Sequence, residues 1–187
     1  MTKQRAVFLD RDGTLIEYVL ELTKPEQLTI LPGAVEGIKM LNEAGFLCII
    51  LTNQPIIEKG LMTREQADEI NRVLGEQFAA QGARIDGAFI CPHRFKNPQH
   101  CTCRKPDQGM VIEAAEKFGI DVSRSFMVGD SLRDIETGKR GGMKTVLIQG
   151  SQGGVEDQKF FPNTTPDYTV PDMKAVAELI LRRQKTV

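Results

Sequence analysis

Asp10 and Asp12 stand two residues apart in the stretch Phe8-Leu9-Asp10-Arg11-Asp12-Gly13-Thr14-Leu15. In an extended segment residues i and i+2 point the same way, so both carboxylates face one site, and Gly13 allows a sharp turn away from it. Two carboxylates held this close repel each other unless a cation or a proton sits with them, which points to a hard divalent ion such as Mg²⁺. Thr52-Asn53 offers donors suited to a phosphate oxygen. Gly129-Asp130-Ser131, followed by Asp134, brings further carboxylates for the same ion, and Lys105 in Arg104-Lys105-Pro106 can set a positive charge against a reacting phosphate. Each of these is also an ordinary turn, cap or surface lysine when taken alone. Their joint placement is what points to a site.

A second constellation is Cys91-Pro92-His93, followed by Cys101-Thr102-Cys103. Three thiolates and a histidine in this spacing suit tetrahedral Zn²⁺, and four protein ligands leave no open position, so such a zinc is structural. His93 is the preferred fourth ligand because Cys-x-His mirrors Cys-x-Cys, with His100 as the substitute. Cys48, in Phe46-Leu47-Cys48-Ile49-Ile50-Leu51, reads as an inert buried thiol.

Elements must deliver these groups to one place. Ala6 to Leu9 and Phe46 to Leu51 are apolar runs of the kind that form strands buried on both faces, and they end in Asp10 and in Thr52-Asn53. Ala88 to Ile90, Ser125 to Val128 and Thr145 to Ile148 repeat the pattern. Helical spacing appears in Val35, Ile38 and Leu41, then in Ala67, Ile70, Leu74 and Phe78 behind a capping box of Thr63 and Gln66. It returns in Val111, Ala114, Ala115 and Phe118, and in a last helix opened by Asp172. Gly45, Gly82 and Gly119 stop the first three. Strands alternating with helices predict an α/β fold with a doubly wound, mainly parallel sheet as one domain over 1–187, whose ligands bind beyond the carboxyl ends of the strands. The chemically interesting residues fall at those ends.

The 187 residues carry 24 basic and 25 acidic side chains, so no global positive field gathers a nucleic acid. The longest apolar run is far short of the roughly 20 residues that span a bilayer, and the first residues lack the apolar core of a signal peptide, so the expected address is cytoplasmic, with no membrane partner. The balanced charge is compatible with a monomer. Gly150, Gly153 and Gly154, near Glu156 and Asp157, point to a mobile loop beside the site.

The segment FLDRDGTL at 8–15 resembles the first motif of the haloacid dehalogenase-like phosphohydrolase superfamily. Thr52-Asn53 is similar to the second motif, Lys105 to the third, and Gly129-Asp130 with Asp134 to the fourth, so the resemblance covers nearly the whole chain. It implies that Asp10 is the nucleophile that forms an aspartyl-phosphate. Asp12 is then the general acid for the leaving oxygen and the base for the hydrolytic water. It implies Mg²⁺ held by Asp10, the Asp12 carbonyl and Asp130, with Asp134 ordering that shell, and substrate contacts from Thr52, Asn53, Arg104 and Lys105. Many relatives carry a cap domain, but the intervals on either side of β-strand Phe46–Leu51 are too short for one. An open site follows, with selectivity expected from residues 17–31, 54–61 and the zinc loop.

The cysteine cluster running into Arg104-Lys105-Pro106 narrows the resemblance to the branch containing D,D-heptose 1,7-bisphosphate phosphatases and histidinol-phosphatase domains. Ile57 to Thr63 looks like the heptose enzymes. The seven residues between His93 and Cys101 lie between the longer loop of those enzymes and the shorter one of the histidinol enzymes, and Pro55-Ile56 replaces a small Ser-Gly pair. The implied activity is removal of the 7-phosphate of the heptose bisphosphate, a step of heptose biosynthesis toward lipopolysaccharide precursors. Histidinol phosphate or another small sugar phosphate is the alternative. Arg94 and Lys96 either grip a second phosphate or are solvated loop charges. A signalling receiver phosphorylated on Asp10 is the non-enzyme alternative, but Asp12 supplies the second acid that hydrolysis needs and signalling does not. A zinc-stapled interaction module leaves the strand-end carboxylates unexplained.

Overall fold

The computed structural model describes residues 3–95, 101–150 and 158–184. Lys96, His100 and the glycine-rich stretch running to Asp157 lie outside them. Six parallel strands form one sheet in the order β3-β2-β1-β4-β5-β6: β1 (Ala6–Leu9), β2 (Leu47–Asn53), β3 (Gly87–Cys91), β4 (Phe126–Gly129), β5 (Lys144–Ile148) and β6 (Tyr168–Val170). The helices are α1 (Ala34–Glu43), α2 (Arg64–Ala79), α3 (Gly109–Phe118), α4 (Leu132–Arg140) and α5 (Met173–Gln184).

β1 is buried on both faces, as its unbroken apolar run requires. Val7 and Leu9 pack into a layer with Ile38, Leu41, Ile70, Leu74, Phe78 and Ile180, from α1, α2 and α5. Ala6 and Phe8 point the other way, against Met110, Val111 and Ala114 of α3. Phe8 stands beside Ile49 of β2 and Met127 of β4, which makes β1 central and puts Asp10 in the middle of the carboxyl edge. Gly37 brings α1 close to α5, since a Cβ there would lie 2.3 Å from the Met173 carbonyl oxygen.

The capping box at α2 forms in both halves, with Gln66 N donating to Thr63 Oγ1 at 3.2 Å and Thr63 N donating to Gln66 Oε1 at 2.8 Å. Gly45, Gly82 and Gly119 take positive φ just beyond α1, α2 and α3. Asp172 opens α5 by accepting from Ala175 N at 2.8 Å. Two elements go beyond the sequence reading. α4 is a short, mostly polar segment with only Leu132 and Ile135 as aliphatic residues, and β6 is a three-residue edge strand. Loops with one short 3₁₀ turn fill the interval between β1 and α1, and a loop joins β2 to α2, so no cap domain stands among the described residues. No helix among them is long and apolar enough to cross a membrane.

Candidate active site

Asp10 leaves β1 with its N–H still donating to the Val128 carbonyl at 2.9 Å, so the carboxylate inherits the rigidity of the central strand. Gly13, at φ 78°, then turns the chain back, and Leu15 N and Ile16 N close onto the Arg11 carbonyl at 2.9 and 3.2 Å. The turn is therefore tied to itself as well as to the sheet.

Lys105 is the hub. Its side chain is 3% exposed, and its Nζ donates to Asp10 Oδ1 at 2.8 Å and to Asp134 Oδ1 at 2.6 Å. The other Asp134 oxygen accepts from Ser131 Oγ at 2.6 Å and Ser131 N at 3.3 Å, capping α4 with the same carboxylate that holds the lysine. Gly129 makes room for this arrangement, because a Cβ there would fall 2.3 Å from Asp134 Oδ2. Asn53 fixes the lysine from the other side. Its amide donates to the Lys105 carbonyl at 3.2 Å and accepts from Lys105 N at 3.0 Å. The Asn53 side chain thus positions Lys105.

Carboxylate oxygens of Asp10, Asp130 and Asp134 lie within 4.8 Å of one another. Burial raises the Asp10 carboxyl well above the usual range. Lys105 opposes that shift, while Asp134, Asp130 and Asp12 add to it. Three carboxylates gathered this closely are a donor set that fits a hard divalent cation.

Asp12 is held by three donors from two segments, the turn after β1 and the end of β2. Arg11 Nη2 reaches its oxygens at 3.1 and 3.0 Å, Gln54 Nε2 reaches Oδ2 at 2.8 Å, and Thr52 Oγ1 lies 3.5 Å from Oδ2. Arg11 is fully buried and also donates to Asn71 Oδ1 of α2 at 3.1 Å. Arg11 and Asn71 were missed as site residues in the sequence. Asn71 left a signal, since it is a polar residue four positions from Ala67 on the apolar face of its helix. Arg11 left only its place between two acids. Gln54 was expected merely as part of a selectivity segment.

The structure also gathers Cys91, His93, Cys101 and Cys103, with ligand atoms within 4.8 Å of one another. Cys91 Sγ lies 3.6 Å from Cys101 Sγ, 3.1 Å from Cys103 Sγ and 3.6 Å from His93 Nδ1. Zn–S bonds of 2.3 Å separate tetrahedral ligands by about 3.8 Å, so these four atoms fit one zinc after small adjustment. Burial and the neighbouring Cys103 thiol push the Cys91 thiol up, so ligation there requires the cation to displace a proton. Arg104, between this cluster and Lys105, donates from Nη1 to the His93 carbonyl at 2.7 Å. Arg94 pairs with Glu58 at 3.5 Å, joining the loop after β3 to the loop after β2. In that second loop Pro55 forms no obstacle. Its carbonyl accepts from Lys59 N at 3.2 Å, in a turn that ends at Gly60 with φ 74°. A cavity of about 640 Å³ is lined by Gly13, Thr14, Glu17, Tyr18, Ile148 and Lys174.

The geometry matches known proteins. The HAD-hydrolase-like family model matches residues 102–176. The chain is 36% identical over 164 residues to the D-glycero-beta-D-manno-heptose-1,7-bisphosphate 7-phosphatase of Pasteurella multocida, covering 83% of this chain and 88% of that one. It is 33% identical over 186 residues to the D-glycero-D-manno-heptose-1,7-bisphosphate 7-phosphatase of Thermosynechococcus vestitus, covering 94% of each. Among solved structures, the D,D-heptose 1,7-bisphosphate phosphatase of B. bronchiseptica complexed with magnesium and phosphate superposes with a TM-score of 0.82 at 28% identity, covering 96% of this chain and 99% of that one. Fold, strand-end carboxylates and these likenesses agree, and the chain belongs to the HAD phosphatases, in the family of the heptose-1,7-bisphosphate 7-phosphatases.

Proposed function

We propose that this chain is a magnesium-dependent phosphomonoester hydrolase that removes the 7-phosphate of D-glycero-D-manno-heptose 1,7-bisphosphate, working as a cytoplasmic monomer. The observation that carries the mechanism is Asp10 at the end of the central strand, 2.8 Å from a buried Lys105, with Asp12 two residues on. Asp10 attacks phosphorus, forming its own O–P bond as the bond to the sugar oxygen breaks. Asp12 gives its proton to that departing oxygen. Asp12 then takes a proton from water, whose oxygen attacks the aspartyl-phosphate, releasing inorganic phosphate and restoring Asp10. Lys105 offsets the charge that otherwise keeps a carboxylate from a phosphate, and Thr52 and Arg104 hold the phosphoryl and substrate oxygens while Asn53 acts through the Lys105 main chain.

Asp10, the Asp12 carbonyl and Asp130 would hold Mg²⁺, with Asp134 ordering its surroundings. When bound, that ion supplies charge compensation at the reacting phosphate. Cys91, His93, Cys101 and Cys103 would hold a structural Zn²⁺ that stiffens the segment leading to Arg104 and Lys105.

The test is kcat/KM for the heptose bisphosphate and for histidinol phosphate side by side, with Asp10→Asn as the blank. A large preference for the bisphosphate and a silent variant are expected. A preference for histidinol phosphate overturns the substrate, and turnover by Asp10→Asn overturns the nucleophile.

A further inference from the structure

Phe95 and Phe160 are left 53% and 56% exposed, yet their rings pack edge to face with centroids 5.2 Å apart and planes inclined at 62°. Phe95 follows β3 and Phe160 follows β5. Those strands stand four places apart in the sheet, which at ~4.8 Å per place is roughly 19 Å. The intervening β2, β1 and β4 carry Thr52, Asp10 and Asp130 at or just beyond their carboxyl ends. The two rings meet although the strands they follow stand that far apart.

Both loops are tied down beyond the rings. On one side Arg94 accepts no slack: its backbone N–H donates to the Glu58 carboxylate and its guanidinium pairs with the same group at 3.5 Å. On the other, Thr164 Oγ1 donates to Glu136 Oε2 of α4 at 2.7 Å. A continuous band of contacts therefore runs from the β2–α2 loop, through the two rings, to α4. An exposed aromatic pair stabilises a fold by only about 0.5–1.5 kcal/mol, and apolar surface left beside a polar cleft marks a binding surface. A sugar offers such a surface a complementary one, because its axial and backbone C–H groups are apolar while its hydroxyls point outward.

We propose that Phe95 and Phe160 form an aromatic clasp at the mouth of the site that packs against the carbon skeleton of the sugar, setting KM for sugar phosphates without touching the reacting phosphate. This rests on the sugar-phosphate reading above. Phe95→Ala and Phe160→Ala are each expected to raise KM for heptose bisphosphate about five- to tenfold, with kcat within about twofold. The double variant should be little worse than either single one, because each ring needs the other. Turnover of acetyl phosphate, which has no sugar, should be unchanged. Hydrogen exchange gives a readout independent of substrate: Phe95→Ala should speed exchange across 158–165.

Unchanged KM in both single variants overturns the contact with sugar, as does an equal loss on acetyl phosphate. Unchanged exchange overturns the clasp itself. If the parent enzyme shows no preference for the bisphosphate, the substrate reading falls instead, and the KM comparison passes to whichever sugar phosphate it hydrolyses.

Discussion

Replacing Lys105 by Met removes the positive charge at the centre of the acidic cluster while keeping most of the side-chain volume. At an effective dielectric of ~20 and separations of 2.8 and 2.6 Å, its attractions to Asp10 and Asp134 are about 6 kcal/mol each before desolvation. Much of that offsets the cost of burying the ammonium, and breaking such a buried pair from one side leaves a net loss of about 3–5 kcal/mol. The loss depends on pH. Burial and the neighbouring acids already raise the Asp10 carboxyl, and Lys105 is what opposes them, so the variant raises it further. A carboxyl whose folded-state pKa exceeds its unfolded value binds more protons when folded, so its contribution is present at low pH and lost as pH rises through the folded value. Urea denaturation in chelator should therefore show a gap between parent and variant that widens as pH rises from the ordinary carboxylate range to the alkaline side. Magnesium should narrow the gap by supplying the missing charge. kcat should fall at least about a hundredfold. Equal stability of the two proteins in chelator at both ends of that range would refute the reasoning.

Removing zinc with a chelator, or by Cys103→Ser, should lower the melting temperature and weaken recognition of the sugar phosphate together; full activity in protein shown by metal analysis to be zinc-free contradicts the structural role. Asp167 is part-buried, which by itself raises its carboxyl, but hydrogen bonds from Lys139, Thr145 and Lys144 pull it below the usual range. That stability is present above the unfolded value and lost as pH falls through the folded one, so Asp167→Asn should cost about 1–3 kcal/mol at neutral pH and progressively less in acid; a gap in the denaturation midpoints that does not shrink there counts against it. Gly138→Ala would place a Cβ 2.4 Å from Thr145 Cγ2 and 2.8 Å from Met127 Cβ, and should destabilise by about 1–3 kcal/mol in urea; a parent-like midpoint shows that α4 can move off the sheet.

The central strands and the helices beside them were legible because burial on both faces leaves unbroken apolar runs, and burial on one face leaves a spacing of three and four. The same logic explains the losses. α4 is fixed by the Ser131 and Asp134 cap, by Ile135 and by contact of small residues such as Gly138 with the sheet, so little of its buried face is made of the large apolar residues that mark a helix. β6 is too short to carry a pattern. At the site, Asp10, Asp12 and Asp130 stood out by type and by their place at strand ends, and Lys105 by its place ahead of a helix. The partnership of Arg11 with Asn71 spans sixty positions and depends on which face of α2 turns inward, so spacing along the chain carries no trace of it. Asn53 stands at the end of β2, and its two bonds to the Lys105 main chain, fifty-two positions away, give it a positioning role that spacing does not signal.

β1 lies between β2 and β4, and the hydrogen bond from Ala6 N to Ser125 Oγ closes a loop of 119 residues. Ribosomes add about 5–20 residues each second, so the first strand waits roughly 6 to 24 s for its second neighbour. During that interval one side of the strand lacks its sheet partner, and Asp10 lacks its lysine until residue 105 has been made. Lys105 emerges before β4, but its grip on Asp134 must wait for α4. Newly made chains should therefore depend on chaperones that shield an open strand edge, and a translation pause placed before residue 125 should increase aggregation more than one placed after residue 140.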